Sequence, residues 1–220
     1  MKTIYFVRHG QTEFNLEKRL QGWRDSPLSQ EGIEQVKRVA KAVRQLDAVQ
    51  GFASPLGRAQ QTAQIIREQV SFDFEALDDL REVSFGDFEG NTLPELDVKF
   101  PGEWEKRQNE KWTYCPPGGE ANCDAVQRGQ SAIERFSKAA ENGPVLVVAH
   151  FAINRIAFSL LAGVEPDETI QINVPHEVIY RAQDNGHGWQ VSYWDARESG
   201  PTFQPGWITQ IKPENQPIGG

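Results

Sequence analysis

The sequence lacks any uninterrupted apolar run near the ~20 residues needed to cross a membrane. It shows no signal peptide either, because residues 1–3 lead straight into a short apolar run without a cleavage motif. Positive charge is also scarce, and the formal net charge of −8 argues against binding to nucleic acid or to an anionic membrane. We therefore expect a cytoplasmic protein in which any site for an anionic substrate is built locally from clustered arginines.

Cysteine is nearly absent as well. Cys115 and Cys123 are the two cysteines of the 220-residue chain, which fits a reducing compartment. We expect two ordinary thiols, with a disulfide or a metal site as alternatives. The sequence carries no sign of oligomeric state, and a homodimer stays open.

Short apolar runs alternate with amphipathic segments, which predicts an α/β fold. The predicted strands cover residues 3–7, 49–53 and 145–149, and the predicted helices begin at Ser29, cover 59–70 and cover 153–162. Two later runs, 177–182 and 189–194, flank an Asp-Asn-Gly turn and predict a hairpin. The expected architecture is a three-layer α/β/α sandwich around a mostly parallel sheet.

One segment interrupts this alternation. Residues 83–120 are rich in Gly, Pro, Trp and charge, and indicate an insertion within a single domain that spans 1–195. Trp104 and Trp112 would either cap a pocket or be buried inside this insertion. Residues 196–220 have little apolar pattern, so we expect an extended C-terminal tail, partly disordered or lying across the surface.

Charged and nucleophilic residues follow the predicted strands. Arg8 and His9 end the first strand, His150 ends the strand 145–149, and Arg58 opens the helix after the second strand. Ligands of open α/β sheets bind at the carboxyl ends of the strands, so these side chains should converge. A permanently charged guanidinium beside an imidazole that is neutral near pH 7 suits phosphoryl chemistry. Each of these residues, taken alone, could have a purely structural role. Their occurrence together favours a functional site.

A series of motifs resembles the histidine phosphatase superfamily, the phosphoglycerate mutase-like group. The motifs occur in family order between residue 4 and about residue 160. They are Arg8-His9-Gly10-Gln11-Thr12 with Asn15, Gly22-Trp23-Arg24-Asp25-Ser26-Pro27-Leu28-Ser29, Ser54-Pro55-Leu56-Gly57-Arg58-Ala59, Leu80-Arg81-Glu82, Gly118-Gly119-Glu120 and Val147-Val148-Ala149-His150.

The resemblance implies a role for each site residue. His9 would be the nucleophile and form phosphohistidine, and Glu82 would donate and accept the proton. Arg8, Arg58 and a protonated His150 would surround the phosphoryl oxygens. The further phosphate or substrate contacts would come from Thr12, Asn15, Gln21, Gly22 and Phe151. No metal and no cofactor is implied.

The sequence departs from the family pattern at two places. Phe151-Ala152 stands where many members carry a small pair, so Phe151 would narrow the pocket or favour an apolar substrate. The Pro-Pro-Pro-bearing insertion of the mutases is missing between Glu82 and Gly118, which favours a hydrolase.

We therefore expect a metal-independent phosphatase that acts on a small phosphorylated metabolite and releases phosphate. Phosphoglycerate mutase activity is the alternative, followed by a non-enzymatic phosphate-binding module. A metal hydrolase built on His9, His150 and Glu82 ranks lower, because the flanking arginines would repel a divalent cation. His176 could line the pocket rim. No motif identifies the individual substrate.

Overall fold

A computed structural model describes residues 1–209. Its strands are β1 (Lys2–Arg8), β2 (Gln50–Ala53), β3 (Phe74–Ala76), β4 (Val145–Ala149), β5 (Val178–Asp184), β6 (Trp189–Asp195) and β7 (Gln204–Pro205). Its α-helices are α1 (Glu13–Leu16), α2 (Gln30–Val43), α3 (Gly57–Arg67), α4 (Leu93–Lys99), α5 (Glu103–Asn109), α6 (Asn122–Ala139), α7 (Phe151–Ala162) and α8 (Pro166–Thr169). Two 3-10 turns cover Asp78–Leu80 and Gly86–Phe88.

The strands form one sheet in the order β3-β2-β4-β1-β5-β6-β7. The neighbouring pairs β3-β2, β2-β4 and β4-β1 are parallel. The remaining pairs, β1-β5, β5-β6 and β6-β7, are antiparallel. The predicted hairpin is confirmed as the pair β5 and β6. The predicted α/β fold around a mostly parallel central sheet is therefore confirmed.

Helices cover both faces of the sheet. Val7, Leu146 and Val148 pack with α2 and α3 on one face, and Phe6 and Val147 pack with α6 and α7 on the other. Neighbouring residues of β1 and β4 thus face opposite layers, yet all are buried. This two-sided burial explains why both strands are continuous apolar runs without alternation.

The predicted helix boundaries are close to the observed ones. Ser29 caps α2 by accepting a hydrogen bond from the Gly32 backbone N–H, as its residue type indicates. The sequence interpretation missed β3 and the 18-residue helix α6. The buried face of α6 contains mainly small residues such as Ala125, Gly129 and Ala132.

The expected insertion contains α4, α5 and the second 3-10 turn. It has a small core of its own, in which Phe85 and Phe88 pack with Leu20 and Leu96. Trp104 packs against this small core, and Trp112 packs against the main core beside α6. Both tryptophans are thus partly buried by packing.

The first part of the expected tail lies across the sheet. Phe203 contacts Trp194 and Tyr5, with ring centroids 5.9 and 6.1 Å apart. β7 pairs with β6 in the same segment. The remainder of the tail, from residue 210 onward, lies outside the described residues. Among residues 1–209, every helix falls short of the combined length and apolarity required to span a bilayer.

Candidate active site

The register of the sheet brings the predicted site residues together. Arg8 pairs with Ala149 across β1 and β4, and the His9 backbone N–H donates to the Ala149 carbonyl at 3.0 Å. His9 and His150 therefore follow adjacent strand ends, and their ring centroids lie 5.1 Å apart. This is the convergence that the strand-end argument predicts.

Two contacts fix the tautomer of His9. Its Nδ1 lies 2.7 Å from the Gly10 carbonyl oxygen, which only accepts, so Nδ1 carries the proton. Its Nε2 accepts a hydrogen bond from Arg58 Nε at 3.2 Å and is unprotonated. Burial lowers the pKa of His9 well below its usual value, and the nearby Arg58, His150 and Arg8 lower it further. The ring is therefore neutral, with a lone pair on Nε2.

Arg58 is buried and held on every side. Its Nη1 donates to Asp25 at 3.0 Å, and its Nη2 donates to the Gly22 carbonyl at 2.7 Å. The Asp25 carboxylate also accepts the Arg58 backbone N–H at 3.3 Å. Arg58 lies in the first turn of α3, where the helix dipole opposes a cation, and Asp25 supplies the compensating negative charge.

Arg8 is buried beside the same ring. Its Nη1 donates to the Val174 carbonyl at 3.1 Å, and its Nε has no partner among residues 1–209. Burial lowers the pKa of Arg8 to about 10, against the opposing effect of Glu82. The guanidinium also lies 5.2 Å from the centre of the Phe151 ring, whose other neighbour is Arg155 at 5.0 Å. Phe151 thus packs between two cations.

His150 is completely buried. Its Nε2 lies 2.7 Å from the Ser54 hydroxyl, which also accepts the Leu56 backbone N–H. Its Nδ1 has no partner among the described residues. Burial and the charges of Arg58 and Arg8 lower the pKa of His150 well below its usual value. These surroundings favour the neutral imidazole, whereas the resemblance implies a protonated one during phosphoryl transfer.

Glu82 lies at the N-terminus of α7. Its Oε1 accepts backbone N–H groups from Val83 at 2.9 Å and from Ala152 and Ile153 at 3.2 Å. Its Oε2 shares the Ala152 N–H, also at 3.2 Å. Arg81, the neighbour of Glu82 in the sequence, pairs with Asp78 at 2.9 Å.

A cleft with about 490 Å³ of empty space, including its open mouth, connects these groups. Thr12 and His150 do not line the cleft. Thr12 caps α1, and the His150 ring packs next to the His9 ring. The predicted site residues that line the cleft are Arg8, His9, Asn15, Gln21, Gly22, Arg58, Glu82 and Phe151.

The sequence argument assigned no role to Glu89, which organises one wall of the cleft. Its carboxylate accepts backbone N–H groups of Trp23 at 2.9 Å, Arg24 at 2.8 Å and Phe85 at 3.0 Å. It thereby ties the loop 21–25, which supplies the Arg58 acceptors, to the segment that follows Glu82. Two of its partners, Trp23 and Arg24, lie more than sixty positions away in the sequence, so no local pattern indicates these contacts.

His176 lies beside the nucleophile. Its Nδ1 donates to the His9 backbone carbonyl at 2.6 Å, and the two rings are 5.7 Å apart. It is outside the cleft lining. Its contact is with the backbone of His9, so it anchors the end of β1.

The two cysteines, Cys115 and Cys123, are free thiols. Within residues 1–209, no three His, Cys, Asp or Glu side chains are grouped closely enough to hold a metal ion.

The sequence matches a known protein family. Residues 4–197 match the family described as the histidine phosphatase superfamily (branch 1). A protein named probable phosphoglycerate mutase GpmB from Enterobacter sp. (strain 638) is 30% identical over 200 residues, which cover 91% of this chain and 93% of that protein.

Solved structures share the fold. The alpha-ribazole phosphatase from Shigella flexneri has a TM-score of 0.82 and 22% identity, covering 91% of this chain and 99% of that one. A mycobacterial glucosyl-3-phosphoglycerate phosphatase has a TM-score of 0.73 and 25% identity, covering 89% of this chain and 99% of that one. With a family match over nearly its whole described length and the buried His-Arg cluster at its strand ends, this chain belongs to the histidine phosphatase superfamily (branch 1).

Proposed function

We propose that the protein is a phosphatase that hydrolyses small phosphomonoesters through a phosphohistidine intermediate at His9, without a metal or a cofactor. The observation that carries this proposal is the unprotonated Nε2 of a neutral His9 next to the Arg58 guanidinium. The substrate would be a small phosphorylated metabolite, and the products would be its alcohol and inorganic phosphate.

In the first step, His9 Nε2 attacks phosphorus. In the unliganded protein the Nε2 lone pair accepts the Arg58 Nε–H. An arriving phosphoryl oxygen is a stronger, charged acceptor and would take over that N–H, which releases the lone pair for attack. The new N–P bond forms as the bond from phosphorus to the ester oxygen breaks.

Fixed donors would stabilise the charge on the three phosphoryl oxygens during transfer. Arg8 Nε, the Arg58 guanidinium and His150 Nδ1 are the candidates, and two of these have no partner in the described chain. They are buried, so they act in a medium of low dielectric constant and need no reorganisation. By analogy with oxyanion-hole donors, the loss of one would lower kcat about 10²- to 10³-fold.

Glu82 would move the proton. Its Oε2 accepts only the shared Ala152 N–H, so this oxygen is the one able to carry a proton for the leaving alkoxide. The carboxylate formed would then take a proton from water as the water attacks the phosphorus of phosphohistidine. The N–P bond breaks, phosphate leaves, and Glu82 is again protonated.

Trapping the intermediate tests this proposal. After a denaturing quench at alkaline pH during turnover of a ³²P-labelled ester, we expect acid-labile, base-stable label on His9 and none on the His9→Ala variant, which should also lose turnover. The His187→Ala variant is the matched control, because His187 is exposed at the hairpin turn. Turnover of any ester by His9→Ala at the wild-type rate, without label, would contradict the proposed role.

A mutase is the second candidate, because a 30% identical relative carries the name of a probable phosphoglycerate mutase. A mutase returns the phosphoryl group to a hydroxyl of the substrate instead of giving it to water. Parallel assays of phosphate release and of 2- and 3-phosphoglycerate interconversion separate the two. Release without interconversion supports the phosphatase, and interconversion without release supports the mutase.

A further inference from the structure

Ser54 is a buried residue that the reaction described above does not use. It follows β2 directly and is 0% exposed. Its backbone N–H donates to the Val148 carbonyl at 2.9 Å, and its own carbonyl accepts the Gln60 side chain at 2.6 Å. Because β2 and β4 are parallel neighbours, Ser54 lies beside His150, the residue that follows β4. The backbone thus holds the Ser54 hydroxyl next to the His150 ring.

The Ser54 hydroxyl has two ways to pair with His150. A serine hydroxyl offers one proton and two lone pairs, and the Leu56 backbone N–H uses one lone pair at 3.3 Å. The proton and the second lone pair remain for His150 Nε2, which is 2.7 Å away. The hydroxyl can therefore donate to Nε2 of a neutral ring, or accept from the Nε2–H of a protonated ring. In both states His150 Nδ1 carries a hydrogen.

The other ring nitrogen, His150 Nδ1, suits an oxyanion. It is buried and has no partner among residues 1–209. A dianionic phosphoryl group that accepts its N–H would favour a positive charge on the ring, because opposite charges attract strongly in buried surroundings. The second N–H of that charged ring, on Nε2, then needs an acceptor, and the Ser54 hydroxyl is within reach.

Without an anion, the surroundings of His150 oppose this charge. Burial lowers its pKa, and so do three arginines, namely Arg58 of α3, Arg8 of β1 and Arg128 of α6. His150 is also the N-cap of α7, where the helix dipole is positive and where the Glu82 carboxylate binds. The His9 ring, 5.1 Å away, has a lowered pKa as well. Proton uptake by His150 therefore has to be linked to the arrival of an anion.

We propose that Ser54 is a positioning residue, whose hydroxyl reverses its hydrogen bond so that His150 takes up a proton when a phosphoryl group binds. The proton comes from solvent as the anion arrives and returns to solvent when phosphate leaves. It is separate from the proton that Glu82 moves. The link to turnover rests on the proposed function, whereas the binding of an anion reveals the proton uptake by itself.

Proton uptake on sulfate binding tests this role. Sulfate is a tetrahedral dianion that does not titrate near neutral pH, so the protons taken up go to the protein. Calorimetric titrations at pH 7.5 in buffers of different ionisation enthalpy count these protons. We expect about 0.5–1 proton per sulfate for the wild type and less than about half of that for Ser54→Ala. Sulfate should also bind Ser54→Ala about 10- to 100-fold more weakly, as expected for a lost hydrogen bond to a charged group.

Further variants assign the proton to His150. In the His150→Asn background, Ser54→Ala should leave the remaining proton uptake unchanged, because the group that the hydroxyl serves is gone. Ser54→Thr keeps the hydroxyl and should restore the uptake. Ser159→Ala is the matched control and should behave like the wild type. Ser159 is a buried serine of α7 whose hydroxyl has no partner within residues 1–209.

The proposal is overturned if the wild type takes up no proton with sulfate, or if Ser54→Ala takes up as many as the wild type. It is also overturned if Ser54→Ala lowers the uptake equally in the His150→Asn background. Failure of the proposed function has a different signature: the wild type would take up protons with sulfate and release phosphate from no ester. In an active enzyme, the alkaline limb of kcat should move to lower pH by about one unit in Ser54→Ala, because kcat reports groups in the substrate complex.

Discussion

At the scale of the single residue, the chemistry of His9 depends on the groups that hold its ring nitrogens. The Gly10 carbonyl keeps the proton on Nδ1, and Arg58 approaches Nε2. A guanidinium this close opposes protonation, because a second positive charge on the ring would be repelled by it, and burial acts in the same direction. The same cations that would bind the phosphoryl group therefore also keep the nucleophile neutral.

Glu82 gives the residue-scale prediction. If it protonates the leaving oxygen, Glu82→Gln should lower kcat/KM about 10²- to 10⁴-fold for an alkyl phosphate, the usual effect of a general acid. The loss should be far smaller for p-nitrophenyl phosphate, whose leaving phenolate is stable without a proton. Steady-state kinetics with both esters measure this difference, and Glu34→Gln serves as control, because Glu34 is only partly buried and lies on α2. Equal losses for the two esters would mean that Glu82 acts through structure.

At the scale of the element, the strand ends explain why much of the site could be predicted. β1 and β4 are buried on both faces, so their sequences are continuous apolar runs that end in polar residues. His9 and His150 follow directly, and the parallel register brings them together. Arg58 follows from the same rule, because α3 begins shortly after β2.

Tertiary contacts decide the parts that could not be predicted. Glu89 acts through backbone N–H groups of the loop 21–25, and no local pattern encodes that pairing. In the sequence, Arg107 is one of many charged residues in the insertion. Only the structure shows that its guanidinium packs against Phe85 and Trp104. The neutral state of His150 also needs the structure, because burial is its largest cause.

The loop 21–25 gives the element-scale prediction. Gly22 has φ of +55°, and a Cβ there would lie 2.2 Å from Glu89 Oε1 and 2.7 Å from the Phe85 backbone nitrogen. Gly22→Ala should displace the loop and remove the carbonyl that accepts Arg58 Nη2. Loss of a hydrogen bond to a charged group corresponds to about 1.5–3 kcal/mol, so kcat/KM should fall about 10- to 100-fold.

The Gly163→Ala variant distinguishes the effect of the steric clash in Gly22→Ala from the effect of backbone strain. Gly163 has a similar φ of +68°, but no heavy atom lies within 4 Å of the added Cβ. Both variants should lose about 1–2 kcal/mol of stability through the left-handed backbone, which thermal unfolding measures. Only Gly22→Ala should lose activity. Wild-type activity in Gly22→Ala would contradict the role of the loop in holding Arg58.

At the scale of the whole molecule, charge is distributed unevenly. The chain has a formal net charge of −8, yet four arginines and one glutamate line its cleft. Arg8 and Arg58 are buried beside three histidines whose pKa values burial lowers, His9, His150 and His176. The folded protein therefore excludes protons from three groups that accept them readily when the chain unfolds.

This difference gives a pH dependence of stability. Because the pKa values of His9, His150 and His176 are lowered on folding, the unfolded chain binds more protons below about pH 6.5. Stability is thus fully present above pH 6.5 and is lost as the pH falls, by up to about 1.4 kcal/mol per pH unit for each histidine. Between pH 7.5 and 5.5 we expect the free energy of unfolding to fall by about 4 kcal/mol in urea titrations.

Two comparisons isolate the histidines as the cause. His150→Asn should reduce the pH dependence by about a third, whereas His187→Asn should leave it unchanged, because His187 is exposed. General charge repulsion predicts the opposite trend: acid protonates carboxylates, reduces the net charge from −8 toward zero and would stabilise the fold. A free energy of unfolding that stays constant or rises from pH 7.5 to 5.5 would therefore show that the three imidazoles do accept protons in the folded protein.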